Sequence, residues 1–190
     1  MYYYALDMIE VEVRAKVENF DDIRKNLEEL GAKQVNKIHQ VDRTFGHSMF
    51  LDESHQIFEG GFSARVRQVD DKTKIDWKEI RREKKHGMQL SAPVTNIEMG
   101  VEFLQKMGWE EAFVVDKVRE LHEFENFKIC LDEIKRLGTF IEVEITVPTE
   151  ETADEALEKC KEFLAKIAPS AEIMYKYYGD LIYELTQKEK

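Results

Sequence analysis

A short acidic pattern occurs twice in the chain: Ile9-Glu10-Val11-Glu12-Val13 near the start and Ile141-Glu142-Val143-Glu144-Ile145 far downstream. Both runs alternate apolar and charged residues in the period of a β-strand. The two glutamates of each pair therefore share one face, roughly 6.5 to 7 Å apart along it. Four carboxylates gathered on one surface repel one another unless water or a cation compensates them. A divalent-metal site is the first chemistry this pattern raises.

The rest of the chain reads as an α+β protein. Helical spacing predicts a helix over 19–30 that stops at Gly31. A second is predicted from a Thr95-x-x-Glu98 capping box through Val101, Leu104 and Met107 to Gly108. A third follows Thr149, with Ala153, Leu157, Cys160, Leu164 and Ile167 on one stripe before Pro169, and a fourth is expected over 170–185. Strand-period alternation marks 7–17, 34–46, 62–70, 73–83, 86–94, 110–123, 125–133 and 139–147. Short connections such as Val69-Asp70-Asp71-Lys72-Thr73 and Glu123-Phe124-Glu125-Asn126-Phe127 favour antiparallel pairing. Eight such strands suffice to close a barrel.

A weak internal repeat supports that layout. Leu27-Glu28-Glu29-Leu30-Gly31-Ala32-Lys33 and Leu104-Gln105-Lys106-Met107-Gly108-Trp109-Glu110 each precede a long strand, and each Glu-x-Glu strand precedes a helix.

The basic residues follow the same rule as the acidic ones. Arg14 and Lys16, Arg65 and Arg67, and Lys117 and Arg119 are spaced i, i+2, and Lys78 adds a further cation. Taken singly, each pair suits the solvated outer face of an amphipathic sheet. Taken together they do not, because the helices need the apolar faces, which carry Ile9, Val11, Val13, Ala64, Val66, Val118, Ile141, Val143 and Ile145. With helices outside a barrel the charged faces turn inward, and a lumen lined by both signs calls for ligands.

Composition narrows the possibilities. The 190 residues are 43% hydrophobic and 11% aromatic, enough for one sizeable core and a single domain over 1–190. With 28 basic and 39 acidic residues the net charge is −11, which argues against a nucleic-acid surface. No apolar run approaches a membrane span and Met1-Tyr2-Tyr3-Tyr4 lacks a signal-peptide layout, so a cytoplasmic location away from membranes is expected. Cys130 and Cys160 have no metal-ligand spacing and read as reduced core residues. Trp77 and Trp109 read as packing residues. The histidines His39, His47, His55, His86 and His122 form no zinc pattern, and there is neither a Walker loop nor a dinucleotide fingerprint. What remains is hard-oxygen chemistry, in which carboxylates hold Mg²⁺ or Mn²⁺ and arginines and lysines clamp a polyphosphate.

At this level of detail the residues resemble a known family. Glu10-x-Glu12-x-Arg14, Arg65-x-Arg67, Lys117-x-Arg119 and the run from Leu131-Asp132-Glu133 through Gly138-Thr139-Phe140-Ile141-Glu142-Val143-Glu144 look like the CYTH superfamily, or triphosphate tunnel metalloenzymes, nearest the class IV adenylyl cyclase branch. The resemblance implies an eight-stranded antiparallel β tunnel barrel over about residues 7–147, with amphipathic helices packed outside and C-terminal helices over about 150–186. It implies metal held by Glu10, Glu12, Glu142 and Glu144, with Asp132 as a partner. Asp132 on its own could equally close a turn. Phosphate would be held by Arg14, Lys16, Arg65, Arg67, Lys78, Lys117 and Arg119, with Glu10, Glu12, Arg14 and Lys16 carrying catalytic roles.

Two places depart from the family pattern. Arg14 stands where lysine is usual, and an arginine cannot act as a proton carrier or readily change its charge state. The basic strand expected after Lys78 is replaced by Gly87-Met88-Gln89-Leu90-Ser91-Ala92-Pro93, with Arg82, Lys84 and Lys85 as candidates for its role. Tyr175, Tyr177 and Tyr178 either border the tunnel or pack. The implied substrate is a small triphosphate: ATP converted to cyclic AMP and pyrophosphate, or an inorganic, thiamine or nucleoside triphosphate hydrolysed by a triphosphatase. A non-catalytic polyphosphate-binding or nucleotide-binding module is a further alternative. Relatives often pair, so a homodimer is also implied, although no segment marks an interface.

Overall fold

The computed structural model describes residues 9–53, 57–80 and 89–188. The described residues form nine strands, joined in an antiparallel sheet, and four α-helices. Across the sheet the strands lie in the order β5 (Gln89–Val94), β4 (Lys72–Glu79), β3 (Phe62–Val69), β2 (Lys33–Gly46), β6 (Glu110–Phe124), β7 (Phe127–Ile134), β8 (Gly138–Val147), β1 (Ile9–Val17) and β9 (Glu172–Met174). No helix among the described residues is long and apolar enough to cross a membrane.

The chain forms two compact units. The first contains residues through Lys37 together with Val118–Lys176, and the second Ile38–Lys117 with the segment from Tyr177 onward. Strands β2 (Lys33–Gly46) and β6 (Glu110–Phe124) run through both.

In the first unit, β7 (Phe127–Ile134), β8 (Gly138–Val147), β1 (Ile9–Val17) and β9 (Glu172–Met174) lie side by side. The alternation expected of β1 and β8 is present. Ile9, Val11, Val13, Ile141, Val143 and Ile145 enter one apolar cluster with Ile129 and Leu131 of β7. That cluster is covered by α1 (Asp21–Leu30), through Ile23 and Leu27, and by α3 (Ala153–Ile167), through Ala156, Cys160, Phe163, Leu164 and Ile167. The expected stop of α1 is Gly31, whose φ of 81° suits a residue without Cβ.

In the second unit, β3 (Phe62–Val69), β4 (Lys72–Glu79) and β5 (Gln89–Val94) extend the sheet from β2. The apolar faces of Phe45, Ala64 and Val66 meet Val101 and Leu104 of α2 (Ile97–Lys106), with buried Trp109 alongside. Trp77 stacks on Phe62 at 3.6 Å between ring centroids, so both tryptophans are packing residues as expected.

Some expectations need correcting. The cap of α2 is Asn96 and not Thr95. The Asn96 side chain accepts a 2.8 Å hydrogen bond from the Met99 backbone N–H, the local bond that favours Asn at this position. Met107 lies past the last turn and is exposed, so it leaves the buried stripe. α3 is entered through a 3₁₀ turn, Glu150–Thr152, and not directly from Thr149. The fourth helix begins only at Tyr178, as α4 (Tyr178–Lys188). Before it, Glu172–Met174 pairs with Arg14–Lys16 of β1 as a ninth strand, because tertiary pairing with an open edge overrides the local helical pattern. The strand predicted over 73–83 ends at Glu79, and the one predicted over 86–94 is seen from Gln89; Arg82, Lys84, Lys85, His55 and His86 lie outside the described residues.

The helix–sheet contact in the second unit is tight at Gly100, where an added Cβ would stand 2.8 Å from Cγ1 of the fully buried Val66. Gly to Ala inside a helix ordinarily stabilises by about 0.5 to 1 kcal/mol. Gly100→Ala is instead predicted to destabilise by about 1 to 3 kcal/mol, the usual cost of overpacking, measured by urea denaturation. A stabilised variant would show that α2 stands further from β3.

Candidate functional site

The face of the first unit turned away from its apolar cluster is charged. Alternation puts Glu10, Glu12, Arg14 and Lys16 of β1, Phe140, Glu142 and Glu144 of β8, and Lys128, Cys130 and Asp132 of β7 on that side. Register sets their neighbours. Glu12 is directly opposite Glu144, Arg14 is opposite Glu142, and Lys128 is opposite Glu144 on its other flank. Like charges directly opposed across two strands are destabilising, so this arrangement needs compensation.

Two guanidinium groups and one ammonium supply it. Arg14 donates from Nε to Glu142 at 2.6 Å and from Nη2 to Glu12 at 2.8 Å, and Nη1 reaches the Lys176 carbonyl at 3.3 Å. Arg119 of β6 grips Asp132 with two parallel 2.6 Å bonds and also donates to Glu142. Burial works against the Arg119 charge, but the Asp132 hydrogen bonds and the charges of Glu142 and Asp132 overcome it and raise its pKa. Lys128 donates to both Glu144 oxygens, at 3.1 and 2.9 Å. Lys16 is exposed, with its ammonium 5.7 Å from the centre of the Phe140 ring.

Both cysteines are buried and reduced, as expected; Cys160 sits in the apolar cluster, and Cys130 lies on the opposite strand face between Lys128 and Asp132. Burial pushes both thiols up to about 12, so neither is a thiolate near neutrality.

The second unit has its own charged face. Asp42 of β2 accepts two bonds from Arg67, at 2.7 and 2.6 Å, and one from Gln40 at 2.9 Å. Asp76 of β4 takes Arg65 at 2.7 Å and Lys74 at 2.8 Å, with the Ser91 hydroxyl as a further donor. The expected cations Arg65 and Arg67 thus stand side by side, each braced by a buried aspartate. Lys78 is exposed on the same strand face as Asp76. Lys117 is buried, with its ammonium 5.3 Å from the centre of the Tyr178 ring, which gives one of the C-terminal tyrosines a packing role. Tyr175 and Tyr177 are exposed.

The structure thus brings Glu10, Glu12, Arg14, Lys16, Arg119, Asp132, Glu142 and Glu144 onto one face, and Arg65, Arg67, Lys78 and Lys117 into the second unit. Asp42, Asp76, Lys74 and Lys128 escaped the sequence reading. Gln40-x-Asp42 and Lys74-x-Asp76-x-Lys78 carry the same i, i+2 signal as the basic pairs and could have been found by it. Lys128 is isolated in sequence, and its partner is known only from the register.

The donor chemistry fits a hard cation. Glu12 and Glu144 are opposed carboxylates on one face, and Glu10 is near enough for its charge to act on Lys128. Among the described residues, no three carboxylate, histidine or cysteine groups already converge as a ligand set.

The aspartate braces make acid stability predictable. Burial of Asp76 opposes its ionisation, but hydrogen bonds from Lys74, Ser91 and Arg65 outweigh this and lower its pKa from 3.8 to about 2. A depressed carboxylate contributes stability that is complete above the unfolded value and lost as pH falls through the folded one. Asp76 should therefore stabilise the fold fully at neutral pH and progressively less between about pH 4 and 2. Asp76→Asn is expected to flatten the acid limb of the Tm-against-pH curve. An unaltered limb would remove Asp76 from the acid transition.

The CYTH domain family model matches residues 8–178. A protein of Methanocaldococcus jannaschii named "Putative adenylate cyclase" is 26% identical over 177 residues, covering 92% of this chain and 98% of that protein. A solved structure from Pyrococcus horikoshii superposes with a TM-score of 0.74 at 24% identity, over 93% of this chain and 99% of its own. A Hippeastrum protein, described as a "putative adenylyl cyclase" with a dominant triphosphatase activity, superposes with a TM-score of 0.65 at 15% identity, over 93% and 95%. With its doubled Glu-x-Glu strands and its antiparallel sheet, the chain belongs to the CYTH domain family.

Proposed function

We propose that this protein is a divalent-metal-dependent enzyme acting on a triphosphate, with conversion of ATP to cyclic AMP and pyrophosphate as the first reading. The observation that carries it is the opposition of Glu12 and Glu144 on a face whose other carboxylates, Glu142 and Asp132, are held by Arg14 and Arg119. Structural roles alone do not call for two opposed glutamates beside the exposed Glu10. Glu10, Glu12 and Glu144, with Glu142 and Asp132 behind them, would hold Mg²⁺ or Mn²⁺. Such an ion, when bound, neutralises charge on phosphate oxygens and lowers the barrier to displacement at phosphorus.

The chain's own residues do the rest. Arg14, whose charge is fixed, holds the Glu12 and Glu142 carboxylates in place through separate nitrogens, a positioning role suited to the forked guanidinium. Following the family pattern, Lys16 and Arg119 of the first unit, and Arg65, Arg67, Lys78 and Lys117 of the second, would be the cations for phosphate oxygens. Arg65 and Arg67 are held in one orientation by Asp76 and Asp42, which lowers the entropy lost when they bind an anion. In a cyclase the nucleophile is the substrate's own 3′ hydroxyl, attacking the α-phosphorus and expelling pyrophosphate.

Hydrolysis by water at the terminal phosphorus is the second reading. It draws support from the Hippeastrum neighbour, in which triphosphatase activity dominates. Both reactions use the same carboxylates and cations, so the charged residues do not separate them.

The deciding experiment is product analysis with ATP, tripolyphosphate and thiamine triphosphate, each with Mg²⁺, Mn²⁺ or EDTA. Cyclic AMP with pyrophosphate is the result expected. Orthophosphate from one substrate would establish the hydrolase instead, and tight binding without turnover a sequestering module. Glu10→Gln combined with Glu12→Gln is expected to abolish metal-dependent turnover with the fold retained; undiminished turnover would refute the metal assignment. Arg65→Ala is expected to cost roughly 1.5 to 3 kcal/mol in kcat/KM, the worth of a charged hydrogen bond. Wild-type kinetics would place Arg65 away from the substrate.

A further inference from the structure

We propose that Lys128 is a built-in competitor of the divalent cation: a positioning residue whose ammonium occupies the Glu144 carboxylate and must be displaced before metal is bound there. The inference rests on the metal reading above and adds to it a residue outside the family motif and a consequence for affinity.

Three adjacent strands carry the argument. Lys128, Glu144 and Glu12 form one row across β7, β8 and β1, set by consecutive register pairs. The ammonium contacts both Glu144 oxygens, at 3.1 and 2.9 Å, so a hard cation approaching either oxygen meets a positive charge already in place. The ammonium, seated on both oxygens, repels a second cation approaching them.

The side chain is also free to leave. It is 41% exposed and has a flexible four-carbon stem, whereas Glu144 is 9% exposed and fixed between two strands. Displacement therefore moves Lys128 and leaves the carboxylate where it is. Arg14 and Arg119 differ in this respect, because each spans two carboxylates from a largely buried position. Of these three compensating cations, Lys128 is the one built to exchange with a metal ion.

The test is Mn²⁺ binding to the full chain without substrate, followed by the electron paramagnetic resonance of free Mn²⁺ and by calorimetry. Lys128→Met and Lys128→Gln are expected to tighten Mn²⁺ binding by about tenfold or more, from removal of one adjacent positive charge. Lys128→Arg, which restores the charge, should bind close to wild type. A merely structural role for Lys128 would weaken binding, not strengthen it, and thermal melts identify any variant that has lost its fold.

Mn²⁺ affinity unchanged or reduced in both folded neutral variants, with Glu144→Gln abolishing the wild-type binding, would overturn the role of Lys128 while leaving the metal site standing. No Mn²⁺ binding by the wild type or any variant would overturn the metal site and this inference together.

Discussion

Glu142 is shared between two guanidinium groups, and the charged face of the first unit depends on that arrangement. Arg14 reaches it from β1 and Arg119 from β6, so one buried carboxylate ties together strands distant in the chain. Buried ions are costly unless each is paired and hydrogen-bonded, and removing one partner leaves the other uncompensated. The same two arginines hold Glu12 and Asp132. Compensation is thus passed from one carboxylate to the next, and the acidic strand faces can be close-packed.

The second unit solves the inverse problem. There the functional candidates are cations, and the compensating groups are the buried Asp42 and Asp76. A two-point grip such as that on Arg67 orients the planar guanidinium as well as neutralising it. Both units therefore place their charges on the strand face opposite an apolar cluster that a helix covers, α3 in the first and α2 in the second.

Much of this was legible in the residues. The period-2 runs of β1 and β8 announced two-faced strands, and the apolar stripe of α3 announced the cover over them. The shared Leu-Gly segments correctly marked two helices that stop at left-handed glycines, Gly31 at φ 81° and Gly108 at φ 84°, each before a long strand. What escaped was of two kinds. Glu172–Met174 has too short a pattern to outweigh the helical spacing around it, and only the open edge of β1 makes it a strand. Lys128 is an ordinary charged residue until its cross-strand partner is known, whereas Asp42 and Asp76 carry an i, i+2 signal whose meaning only their arginine partners reveal.

The sequence by itself determined which residues could lie together on one strand face, because side-chain alternation is a local property of the backbone. It thereby separated the apolar faces from the charged ones and named the carboxylates and most of the cations. It could not determine which charge meets which. That Glu12 faces Glu144, that Arg14 spans Glu12 and Glu142, and that Lys128 holds Glu144 from its other flank were decided by the register of β7, β8 and β1. Register is a tertiary property: a shift of one residue in any pairing would move every side chain of that strand to the other face. The apolar cluster under α1 and α3 prevents that shift.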